Sequence, residues 1–151
     1  EVTLIVTATP STSTASPRGG ASSKISMIPL QNQGGTFVVP VLVNNAITLN
    51  FTLDSGASDV SIPADVVTTL MRTGTLKQSD FLGKRTYVLA DGSRVQSETF
   101  RIRSMKVGDR VIENITGSAT SVKGSLLLGQ SFLTRFKSWS IDNGKRVLLL
   151  E

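Results

Sequence analysis

The chain contains no cysteine and no histidine. The first absence excludes disulfides, thiolate nucleophiles and cysteine-held metals; the second removes the commonest general base and metal ligand. Serine or thiol chemistry of the histidine-activated kind is excluded with them. Aromatic residues make up 5% of the chain. No segment approaches the roughly 18 apolar residues that a membrane helix needs. No metal and no cofactor is expected, so any hydrolytic chemistry falls to carboxylates.

What is present points to strands. The 151 residues are 39% hydrophobic and rich in Val, Leu, Ile, Thr and Ser, which suits one domain of all-β or mainly-β class with one or two short helices. The net charge of +5 is scattered from Arg18 to Arg146 without a dense run. It reads as a solvated basic surface, and no nucleic-acid partner is expected. Arg101 and Arg103, on one face of a strand, belong to that reading.

Residues 1–23 are expected to be a flexible Ser/Thr/Pro-rich tail, since Thr7 to Ser23 holds almost no large apolar side chain. The run Val2 to Val6 before it could pair as a strand. Residues 24–151 are expected to fold as one domain. Thr36 to Leu42, interrupted by Pro40, and Ile47 to Leu53 form a hairpin about Asn44-Asn45. In the second strand Ile47, Leu49, Phe51 and Leu53 share one face, and the strand delivers Asp54 at its end. Val60 to Ile62 is a short strand, followed by a helix from about Pro63 to Gly74. Asp91-Gly92 marks a projecting hairpin between Thr86–Ala90 and Ser93–Ile102. Further strands cover 105–107, 111–115, 125–128, 139–141 and 147–150, with a brief helix over 130–136.

The stretch carrying chemistry is Leu53-Asp54-Ser55-Gly56-Ala57, where an apolar strand runs into a turn. An aspartate there, followed by a hydroxyl and a glycine, suits two copies of the loop meeting face to face. Glycine permits close approach and the hydroxyl can bond across. Two carboxylates so placed cannot both ionise cheaply; they share a proton, and the pair can activate water against a peptide carbonyl. Asp, Ser and Gly are also ordinary turn residues, and the tripeptide arises by chance in about one chain in ten of this length. Local sequence alone leaves both readings open.

A wider set of motifs resembles a known family. Leu53 to Ser58, Val60-Ser61-Ile62-Pro63, the Asp91-Gly92 hairpin and Leu127-Leu128-Gly129-Gln130-Ser131-Phe132-Leu133 occur in the order found in single-lobe retropepsin-like aspartic proteases, especially their bacterial branch. The resemblance spans roughly residues 24–151. It implies a closed β-barrel protomer with a flap hairpin and an aspartic endopeptidase activity. Asp54 would be the catalytic carboxylate, Ser55 the hydroxyl locking paired loops, and Gly56 the close-approach position. Ala57, Ser58 and Asp59 on the floor, with Ala90, Asp91 and Gly92 at the flap, would contact substrate. Leu127-Leu128-Gly129 would support the catalytic loop. Tyr87 on this hairpin has two readings, a reach into the cleft and, favoured, a surface strand position. Where retroviral members place an acidic residue after the Ala, this chain has Ser58, with Asp59 one position later.

The motif occurs once, so the resemblance implies a homodimer acting on an extended polypeptide. Asp142-Asn143-Gly144 is read as a hairpin turn, not a second copy. The alternative is a catalytically silent module of the same fold that dimerises or binds peptides. The chain begins with Glu1 rather than Met, and the Ser/Thr/Pro tail would suit a spacer from a membrane tether upstream of residue 1. A periplasmic or membrane-anchored location in the cell envelope is expected on that ground, with a cytoplasmic enzyme left open.

Overall fold

The computed structural model describes residues 24–151. The expected tail over 1–23, including Val2–Val6, lies outside the described residues. Eleven strands and two short α-helices make up this part, so it is mainly β. Among the described residues no helix is long and apolar enough to cross a membrane.

The first hairpin joins β3 (Thr36–Val43) to β4 (Ile47–Leu53). Its turn places Asn44 and Asn45 at φ 51° and 55°, and the Ala46 amide donates to the Val43 carbonyl at 2.9 Å. Two successive positive φ angles match the right-handed twist of the strands, and asparagine tolerates them better than most residues. Phe51 and Leu53 are buried as the alternation requires, and Ile47, beside the turn, is exposed. Pro40 does not interrupt β3. The edge of β3 away from β4 pairs with β2 (Gln31–Gln33) only as far as Val38, and with β7 (Arg94–Val107) only from Leu42. Pro40 therefore falls in an unpaired gap on that edge, where a missing N–H is tolerated.

With β5 (Val60–Pro63), β6 (Phe81–Val88), β8 (Arg110–Thr120) and β9 (Leu127–Leu128), the large sheet runs β2-β3-β4-β9-β5-β8-β7-β6, and β7 pairs again with β3. That second pairing closes a ring of β3, β4, β9, β5, β8 and β7. Val39, Val41, Phe51, Ile62, Phe100, Ile102 and Leu128 are each 0% exposed inside it. Burying a side chain of this size contributes about 1.5–3 kcal/mol. Helix α1 (Ala64–Arg72) covers the barrel with Val67 and Leu70 and stops at Gly74, whose φ of 79° suits a left-handed C-terminal cap. A separate three-stranded sheet, β1 (Ser26–Pro29), β11 (Val147–Leu150) and β10 (Trp139–Asp142), brings the two ends of the domain together.

Two strands run further than their patterns suggest. β7 is continuous over 14 residues, and β8 extends to Thr120. Conversely the strand expected over 125–128 shrinks to Leu127–Leu128, and the helix expected over 130–136 is the single turn α2 (Gln130–Leu133). Arg101 and Arg103 lie on a solvated strand face as expected, and both also pair with one buried carboxylate. Asp80, only 2% exposed at the start of β6 (Phe81–Val88), takes Arg103 Nε at 3.3 Å and an Arg101 amino nitrogen at 3.6 Å. A buried carboxylate needs such partners, and the two guanidinium groups supply them while their side chains stay 47% and 38% exposed.

Candidate active site

Topology fixes the position of Asp54. β4 and β5 both flank β9, the first parallel to it and the second antiparallel. The segment from Asp54 to Asp59 must therefore arch over the end of β9. Asp54 N–H donates to the Leu128 carbonyl at 3.0 Å. Gly56 N–H donates to Asp54 Oδ1 at 2.9 Å, which folds the loop back on the aspartate. Helix α2 then supplies donors from below: Gln130 N–H to the Ala57 carbonyl at 2.8 Å and Ser131 N–H to the Ser58 carbonyl at 2.9 Å.

Gly129 sits where these segments cross. A Cβ there would lie 2.3 Å from the Asp59 carbonyl oxygen and 2.6 Å from that of Ala57, so only glycine lets the arch close. Leu128 beneath it is fully buried. Two supporting side chains were not singled out by sequence reasoning. Gln130 Nε2 donates to the Ser55 carbonyl at 2.6 Å. Ser131 Oγ donates to the Thr116 carbonyl at 2.8 Å and accepts from Val60 N–H at 3.0 Å. Both follow Gly129 directly, so their position in the motif was the available signal; their partners, more than a dozen residues away, were not readable.

The arch leaves some groups unpartnered. Asp54 and Ser55 are half-buried, yet Asp54 Oδ2 and Ser55 Oγ make no hydrogen bond within the described residues. Gly56 is exposed, its φ is not positive, and an added Cβ would meet only Asp54 Oδ1, at 3.3 Å. Among the described residues, nothing but that one carboxylate oxygen stands against a side chain there. Among the described residues there is no cluster of three metal-ligating side chains.

The remaining residues singled out from the sequence divide into two groups. Ala57 is half-buried and Ser58 exposed, both in the arch. Ala90, Asp91 and Gly92 form the tip of the β6–β7 hairpin, all exposed, and no hydrogen bond or ion pair joins them to residues 54–59. Their turn is a three-residue connection. Leu89 N–H donates to the Ser93 carbonyl at 2.8 Å, Gly92 N–H donates to the Leu89 carbonyl at 2.9 Å, and Gly92 takes the left-handed φ of 86°. Asp91 Oδ1 accepts from Ser93 N–H at 2.9 Å and Ser93 Oγ at 2.6 Å. These bonds hold the Asp91 carboxyl below its ordinary range.

Asp59 differs from its neighbours. It is 6% exposed, and its Oδ2 accepts from the Tyr87 hydroxyl and, at 3.5 Å, from Arg85. Its carboxylate points at a hairpin strand, away from any open surface. Tyr87, expected as a surface residue, is thus tied to the floor. Burial, and then the Asp59 carboxylate, push its phenol above the ordinary value, which keeps it a hydrogen-bond donor.

The family model described as "gag-polyprotein putative aspartyl protease" matches residues 39–135. The chain belongs to the retropepsin-like aspartic protease family. A crystal structure of a retropepsin-like aspartic protease from Rickettsia conorii superposes with a TM-score of 0.64 at 27% identity, covering 88% of this chain and 96% of that one. No curated protein matches. As in the sequence resemblance, the family match contains the Asp54 arch, the hairpin and Gly129. In this retropepsin-like chain Asp54 is fixed through its backbone and one carboxylate oxygen, and the other oxygen makes no hydrogen bond among the described residues.

Proposed function

We propose that the protein is an aspartic endopeptidase whose active site forms when two copies each contribute Asp54. The observation that carries this reading is the unpartnered pair Asp54 Oδ2 and Ser55 Oγ on a rigidly held arch. Neither atom is buried away from solvent, so both are open to a partner, and a second copy of the same arch across a two-fold axis presents the matching atoms symmetrically. Gly56, where only that one carboxylate oxygen stands against a side chain, then becomes the position where two backbones approach.

In that dimer two carboxylates share one proton, because like charges at contact distance cannot both ionise. The ionised member takes a proton from a water held between them, and the protonated member donates to the oxygen of the scissile carbonyl. The tetrahedral diol formed collapses as the leaving nitrogen is protonated, and no covalent enzyme intermediate arises. The substrate lies extended beneath the β6–β7 hairpin, which acts as a flap, and pairs by its backbone.

The test is cleavage of an unstructured polypeptide across pH by wild-type and Asp54→Asn protein. Wild-type cleavage is expected to peak at acidic to mildly acidic pH, where the pair holds one proton. Asp54→Asn should lower the rate by about 10³-fold or more with an unchanged melting temperature. Cleavage by the variant at the wild-type rate would overturn the reading. Peptide binding without cleavage by the wild type would make the protein a binding module.

A further inference from the structure

The β6–β7 hairpin leaves the barrel as a two-stranded ribbon. β8 pairs with β7 only from Thr99 onward, so residues 94–98 pair with β6 alone. At its root the register slips between Phe81 and Gly83, Gly83 takes φ 107°, and Thr99 Oγ1 donates to the Gly83 carbonyl at 2.9 Å. A bulge with a glycine is a natural pivot. Beyond it, every residue from Lys84 to Glu98 is exposed except Tyr87 and Ser97. A ribbon with so little buried surface has little of its own to fix its angle to the body.

Tyr87 supplies the missing tether. In the ladder it stands opposite Val95, and Arg85 opposite Ser97, so all four share the face that carries the contact with Asp59. The phenol reaches Asp59 Oδ2, with the buried Ser118 of β8 beside it. Arg85 completes the contact at 3.5 Å from Asp59 and lies 5.9 Å from the centre of the Tyr87 ring. Asp59 is no free surface group: it closes the arch that begins at Asp54, and its carbonyl bears on Gly129. The hairpin and the candidate catalytic arch are therefore joined through the Asp59 carboxylate, which accepts from the Tyr87 hydroxyl and, at the longer distance of 3.5 Å, from Arg85.

We propose that Tyr87 and Asp59 form a latch that holds the hairpin at its working angle over the Asp54 arch, making both of them positioning residues for substrate clamping. This rests on the peptidase reading for its consequence in catalysis, whereas the latch itself is a property of the fold. The hydroxyl is the essential group. Tyr87→Phe keeps the ring and its packing but removes the donor. Asp59→Asn keeps an acceptor oxygen for Tyr87 and removes only the charge, whereas Asp59→Ala removes both.

The experiment is amide hydrogen exchange on the intact chain, resolved into hairpin peptides (84–98) and barrel peptides (β3 and β4), together with steady-state cleavage kinetics. Tyr87→Phe and Asp59→Ala should speed hairpin exchange by about tenfold relative to the barrel, and Asp59→Asn should restore most of the protection. In cleavage, Tyr87→Phe should raise KM by a larger factor than it lowers kcat, since the clamp on bound substrate is what weakens. Hairpin exchange in Tyr87→Phe at the wild-type rate relative to the barrel would overturn the latch. So would acceleration spread equally over hairpin and barrel, which marks a general loss of stability. If the wild type cleaves nothing, the peptidase reading fails and the exchange result still decides the latch.

Discussion

Gly129 and Gly56 both lie at the Asp54 arch, and a methyl group added to each meets different surroundings. At Gly129 it would run into two backbone carbonyls, at 2.3 and 2.6 Å, neither of which can rotate away. Gly129→Ala should therefore cost about 2–4 kcal/mol in chemical denaturation and abolish activity with it. At Gly56 the methyl would meet only one carboxylate oxygen, at 3.3 Å. Gly56→Ala should change folding stability by less than about 1 kcal/mol while cutting peptide cleavage at least tenfold, because the obstacle arises only when two arches approach. An alanine variant that cleaves at the wild-type rate would remove the close-approach role. The two substitutions thus separate what one chain needs from what the pair needs.

Among the elements, the hairpin gives a pH prediction. Bonds from the Ser93 hydroxyl, then from its amide, lower the pKa of Asp91. A carboxyl with a depressed folded-state pKa stabilises the fold above its unfolded value, and that contribution is lost as pH falls through the folded value. The tip turn should keep its Ser93 amide protection from neutral pH down to its ordinary value of 3.8 and lose it below. At the mildly acidic pH proposed for cleavage the turn is still intact. Loss of that protection already near pH 6, followed by NMR, would contradict this.

The same elements show what the sequence could and could not convey. β4 was readable because Leu49, Phe51 and Leu53 alternate with polar residues, and the β3–β4 turn because Asn44-Asn45 tolerates positive φ. The Asp54 arch and Gly129 were readable as motifs. The full length of β7 was not, because Arg103 and Ser104 break its apolar alternation. Their reasons lie elsewhere: Arg103 answers Asp80, and Ser104 N–H bonds Asn44 Oδ1 at 3.0 Å across 60 residues. The Tyr87–Asp59 contact spans 28 residues and joins two segments that only barrel closure brings together. No local pattern encodes such a pair, so Asp59 read as a substrate contact and Tyr87 as a surface residue.

For the whole molecule, the proposed function has the barrel deliver half of a site. Asp54 carries one carboxylate oxygen that makes no hydrogen bond among the described residues. The other carboxylate of the arch, Asp59, is engaged with the hairpin. A peptide bond hydrolysed by a shared-proton pair needs the second oxygen set from another chain, so activity should belong to the pair and not to the protomer. The most direct measurement mixes wild-type protein with a tenfold excess of Asp54→Asn protein, allows subunits to exchange, and follows peptide cleavage. Random pairing leaves about one wild-type chain in eleven with a wild-type partner in a two-fold dimer. The account predicts that cleavage per wild-type chain falls to about a tenth. Cleavage per wild-type chain that stays constant across the mixture, under conditions where exchange is complete, would show that each protomer carries its own site and contradict the account.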